Sequence, residues 1–90
     1  MATKSFDAQK LELDEASADL RLFTLARPGS TEKVGILAIA RVNALCERMK
    51  TLFAVGPHAA AIALIANSVR GRVLAAEARL ALLARKPAGR

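Results

Sequence analysis

Between Lys50 and Arg70 the chain reads TLFAVGPHAAAIALIANSV (51–69), a run without Asp, Glu, Lys or Arg. A membrane-spanning helix needs about 20 predominantly apolar residues, and the run is close to that length. Gly56 and Pro57 divide it, however, into two pieces too short to cross a bilayer. Much of the longer piece is alanine, and Asn67 and Ser68 lie near its end. Apolar spacing then continues past Arg70, Arg72, Glu77 and Arg79, charges that a lipid core penalises. The run is therefore expected to be a joint between two helices and not a transmembrane span. Gly56 suits the end of the first helix and Pro57 the first turn of the next. His58 is then a polar residue at the mouth of that joint.

A second break lies upstream, in ARPGSTEK (26–33). Pro28 disfavours helix at the residue before it, and Gly29 permits a turn. Ser30 or Thr31 can cap the helix that follows, with Glu32 favourably placed against its dipole. VGILAIA (34–40) has strand-like composition, but ARVNALCERMK (41–50) continues from it with helical spacing, so both belong to one helix. Three helices are expected, over about 6–27, 31–55 and 57–86, with a short tail at 87–90. ADLRLFTLAR (18–27) resembles AEARLALLAR (76–85), which reads as two similar packing helices and not as a repeat array.

Composition agrees. The 90 residues are 53% apolar, with five glycines and neither Trp nor Tyr, a balance that favours helix over strand and excludes a disordered chain. One domain, 1–90, is expected. The preference for Ala and Arg over Lys and Ile fits a GC-rich bacterial genome. The amino-terminal MATKSFDAQK lacks a hydrophobic signal region, and the lone Cys46 rules out an intrachain disulfide, so a cytoplasmic location is expected.

On a helical wheel at about 100° per residue, the second helix shows one broad stripe: Ile39, Val42, Leu45, Cys46, Met49, Leu52 and Phe53. Ile36 and Leu37 fall off it, which predicts cover on more than one side at the start of that helix. The third helix carries two seams. Ile62, Ala66, Val69, Val73, Ala76, Leu80 and Leu83 recur in coiled-coil steps of four and three. Leu64, Gly71, Ala75, Ala78 and Leu82 lie on the opposite side. The first helix has a main seam, Phe6, Leu13, Ala16, Leu20 and Phe23, and a weaker second one, Leu11, Ala18, Leu22 and Leu25. A helix apolar on two opposed sides needs neighbours on both. The fold class is accordingly all-α: a three-helix antiparallel bundle, or a helical hairpin with an extra N-terminal helix, assembling into a larger helical oligomer, most simply a dimer.

The net charge of +6 is distributed unevenly: −1 over residues 1–30, +2 over 31–56 and +5 over 57–90. Glu12 and Asp19 line one edge of the first helix, and Arg72, Arg79 and Lys86 one edge of the third. These two helices run parallel in an up-down-up bundle, so the rows are expected to pair across the seam. A second reading leaves Arg70, Arg72, Arg79, Arg85 and Lys86 free to contact phosphates. No base-stacking Tyr or Trp and no nucleic-acid motif accompany them.

Catalysis needs convergent polar groups. His58 has no second histidine to complete a metal site, Cys46 lies in an apolar stripe, and the carboxylates of KLELDEASAD (10–19) scatter around the first helix. The glycines are too dispersed for a phosphate loop. The expectation is no enzyme activity, no catalytic or metal residues and no cofactor. The leading functional expectation is a helical interaction protein that self-associates and presents an apolar seam to another protein, as adaptors, assembly factors and chaperones do. The seam residues are Leu64, Gly71, Ala75, Ala78 and Leu82, with Leu11, Leu22 and Leu25 of the first helix. Alternatives are nucleic-acid association through the basic third helix and peripheral attachment to a membrane through amphipathic helices.

Overall fold

The computed structural model describes residues 5–25 and 30–85. They form three helices, α1 (Phe6–Thr24), α2 (Glu32–Leu52) and α3 (Ala59–Ala84), each packed against the other two in a compact bundle. Ser5 caps α1 by accepting a hydrogen bond from the Ala8 amide at 3.2 Å, and Thr31 caps α2 by accepting from the Val34 amide at 3.2 Å. Each hydroxyl satisfies one amide that the first turn leaves without a helical partner. Asp7 and Glu32 in the first turns add favourable charge. Between the two expected capping residues of α2 the choice falls on Thr31, and the Ser5 cap was not anticipated.

The joint around Gly56 contains less helix than expected. α2 ends at Leu52 and α3 begins at Ala59, so Phe53–Val55 and Pro57 lie outside helix. Gly56 adopts φ +121° and its carbonyl accepts from the Ala59 amide at 3.2 Å. That reversal consumes the residues the spacing had assigned to the helix ends. His58 is the N-cap and not a first-turn residue, and its side chain makes no capping hydrogen bond. The expected ends of the first and third helices, together with Pro28, Gly29 and the tail, lie outside the described residues.

Gly56 is required by its backbone alone, because a Cβ added there meets nothing within 4 Å. A residue with a side chain held in this region costs about 1–3 kcal/mol. Gly56→Ala is therefore expected to lower stability by that amount in urea unfolding, with helix content unchanged. A neutral result would mean the joint relaxes to another turn.

The core follows the main seams. Leu13, Ala16, Leu20 and Phe23 of α1 meet Val42, Leu45, Cys46 and Met49 of α2 and Ile62, Val69, Val73 and Ala76 of α3. Burying each large apolar side chain contributes roughly 1.5–3 kcal/mol before ordering costs. One end of the bundle is closed by rings: Phe6 stacks on His58 at 4.1 Å and 5°, and Phe53 meets Phe6 edge-on at 5.3 Å. At the other end the Phe23 ring packs directly on the backbone of Gly35 in α2.

The hand of the bundle overturns the expected charge pairing. Glu12 and Asp19 do not face α3. Asp19 accepts from Arg41 at 3.1 Å and Glu12 from Arg48 at 3.3 Å, both on α2. Arg48 also donates to the buried Gln9 side-chain oxygen at 3.0 Å. Arg41 and Arg48, which lie off the apolar stripe of α2, therefore latch the antiparallel α1–α2 pair. Two mirror arrangements of three helices satisfy the same apolar seams. In the one adopted, α2 lies on the flank of α1 that carries Glu12 and Asp19, and α3 lies on the flank that carries Lys10, Asp14 and Arg21.

Candidate functional site

The second seam of α3 faces away from the bundle. Leu64, Gly71, Ala75, Ala78 and Leu82 are all exposed, with 72% of the Leu64 surface and 61% of the Leu82 surface accessible. Leu74, which belongs to neither seam in the sequence reading, joins this face with 59% accessible. Ala60, Ala63, Asn67, Ser68 and Ala81 complete it. No charged side chain interrupts the face before Arg85, at the C-cap. Across 26 residues it extends for about 39 Å. The outward side of α1 differs: Leu11, Leu22 and Leu25 are exposed there, but among the carboxylates of Asp7, Asp14 and Glu15. Ile36 and Leu37 are also exposed, so within the chain the start of α2 is not covered on a second side as expected.

Gly71 sits mid-helix at the centre of this face. An added Cβ would meet nothing within 4 Å, so packing within the chain gives no reason for it. Glycine there weakens the helix by roughly 0.5–1 kcal/mol relative to alanine. By the same measure α3 is the element whose exposed surface is least explained by the monomer. It is also long and apolar enough to cross a membrane by length and composition, and only 22% of the relevant window is buried in the bundle.

The basic residues of α3 divide between two grooves. Arg72 lines a groove of about 450 Å³ against α1, together with Lys10, Asp14, Ser17, Arg21 and Ser68. Arg70 lines one of about 210 Å³ against α2, beside Glu47 and Lys50. Lys10 is paired with Asp14 and Lys50 with Glu47, each at 3.0 Å. Arg70, Arg72, Arg79 and Arg85 form no ion pair with another described residue. The half-buried Arg79 leaves its Nε enclosed without a hydrogen-bond acceptor. Lys86, the remaining candidate anion contact, lies outside the described residues. The carboxylates expected to neutralise this edge are held by α2.

Among the described residues, chemistry-bearing side chains do not converge. Among the described residues no group of three or more His, Cys, Asp or Glu is placed to hold a metal ion. His58 belongs to the ring cluster with Phe6 and Phe53. Cys46 is a buried free thiol. Burial pushes its pKa up, Lys50 offsets this in part, and Glu47 adds to the rise. A thiol whose folded pKa is raised stabilises the fold below its unfolded value, near 9.0, and loses that contribution as pH rises through the folded value. The stability advantage of the native chain over Cys46→Ala is therefore expected to shrink as pH is raised above about 9. A difference constant through that range would show that the thiolate forms at no cost.

No protein-family model matches the chain, and neither a curated protein nor a solved structure matches it.

Proposed function

We propose that this chain is a non-enzymatic helical interaction protein that self-associates through the outward face of α3 and presents an apolar helix seam to a protein partner. The observation that carries the reading is the charge-free apolar face itself, centred on a glycine for which the monomer offers no packing reason. Rows of exposed leucine on one side of a helix favour association, because each that becomes buried contributes roughly 1.5–3 kcal/mol. The test is sedimentation of the native chain and of the double variant Leu64→Glu with Leu82→Glu. The native chain is expected to sediment above the mass of one copy at micromolar concentration, and the variant to sediment as one copy with its helix content intact. A native chain that stays at one copy, or a variant that keeps the native mass, defeats the reading.

A second reading draws on the uncompensated arginines. With Glu12 and Asp19 engaged by α2 and Asp14 paired with Lys10, Arg72 and Arg79 keep no ion-pair partner among the described residues, which favours contact with a phosphate backbone along the α1–α3 edge. Titration with labelled DNA and RNA at two salt concentrations tests it, since this term is strongest at low salt. Absence of binding there removes the reading. Attachment to a membrane surface draws on the length and composition of α3. Failure to co-float with vesicles containing anionic lipid would dismiss that one.

A further inference from the structure

We infer that the occupant of the outward α3 face is α3 of a second copy, running antiparallel about a two-fold axis near Val73 and Leu74; this rests on the self-association reading and specifies its geometry. The argument is charge complementarity. Arg70 and Glu77 lie on one flank of the apolar face, about two helical turns apart. Both are exposed, and neither forms an ion pair with a described residue.

In an antiparallel pair each flank meets the same flank of the other copy. An axis midway between positions 70 and 77 sets Arg70 beside the partner's Glu77, and Glu77 beside the partner's Arg70. Within about one residue of rise, ~1.5 Å, the same axis sets Leu64 beside the partner's Leu82 and Gly71 beside the partner's Ala75. The small residues then fall where the two helices cross most closely, and the leucines fill the wider ends. The symmetry makes the contact self-complementary and closed.

A parallel pair sets the Arg70–Glu77 flank against the flank of Arg72 and Arg79. Glu77 then meets an arginine, but Arg70 meets like charge, so only the antiparallel pair gives both residues an opposite partner on this flank.

Charge reversal tests the geometry. Arg70→Glu, Glu77→Arg and the double variant Arg70→Glu with Glu77→Arg are compared with the native chain by sedimentation equilibrium. Circular dichroism confirms that each remains folded. Each single reversal sets like charges face to face at both ends of the crossing and is expected to weaken self-association about tenfold. The double reversal restores opposite pairs and is expected to return affinity to within about threefold of native.

The two single variants also separate local pairing from general repulsion between basic copies. Arg70→Glu makes the chain less positive, so general repulsion predicts tighter association where pairing predicts weaker. A native chain that self-associates but is insensitive to the single reversals, or whose double variant is weakened as the sum of the singles, overturns the antiparallel geometry and leaves self-association standing. A native chain that stays at one copy overturns both.

Discussion

Replacing Phe23 by alanine is expected to cost about 3–5 kcal/mol. For a domain of this size each kcal/mol lowers the melting temperature by roughly 4–8 °C. A loss of about 12–40 °C is therefore anticipated, since the energy removed is a large share of the about 5–15 kcal/mol that holds an ordinary domain together. Three observations set the size. Phe23 is 1% exposed, its ring closes one end of the core, and the tip of the ring abuts backbone at Gly35. The surroundings cannot collapse into the vacated space, because one wall of it is the α2 main chain. Urea unfolding would read the effect as a lower midpoint with an unchanged slope. Leu64→Ala is the internal comparison: with its side chain mostly in solvent, it should fall within about 0.5 kcal/mol of native for the isolated fold. Similar losses for the two variants would mean that Phe23 is not the anchor described above.

Gly35→Ala tests the same contact from the other side. Two effects of opposite sign act there. Alanine strengthens a helix interior by up to about 1 kcal/mol relative to glycine. The added methyl, however, would lie 2.6 Å from Phe23 Cε1 and 2.7 Å from Cε2, and closer still to Cζ. Overpacking of a closed core costs typically about 1–3 kcal/mol. The ring has no open side to move toward, so the steric cost wins and a net loss of about 1–2 kcal/mol is expected. The discriminating measurement is the pair of variants together. With Phe23→Leu in place the methyl has room, and the double variant should be less destabilised than the two singles summed, with a coupling of about 0.5–3 kcal/mol. Strict additivity would show that the two sites do not touch. The same substitution at Gly71, where nothing stands within 4 Å, should raise the stability of the isolated fold.

The three-helix fold and its core were legible because apolar spacing is a local property: every buried residue of α2 except Gly35, and all of those of α3, lie on the seams read from the wheel. Gly35 was not legible as a core position. In KVGILAIA (33–40) it looks like a weak point in a helix, and its necessity depends on an aromatic ring far away in sequence. The acidic row on α1 was read correctly as a row but assigned to the wrong neighbour. Its partner depends on the hand of the bundle, which residue spacing does not specify. Gln9 was missed for a related reason, since a lone glutamine beside Lys10 carries no sign that an arginine from α2 will reach it. The helix ends at the joint were overextended because Phe53–Val55 are apolar and satisfy helical spacing, while the turn at Gly56 is decided by backbone conformation. The outward face of α3 was legible apart from Leu74, which completes it.

The stack of Phe6 on the only histidine gives the molecule a built-in reporter. The chain has neither Trp nor Tyr, so intrinsic fluorescence follows its folding poorly. His58, however, lies face to face with the ring of Phe6, near the start of the chain, with a second ring edge-on beside it. Ring currents displace the imidazole carbon-bound proton resonances from their free positions only while the start of α1 is docked against the start of α3. A single pair of lines in a proton spectrum therefore records closure of that end of the bundle, separately from the rest of the fold.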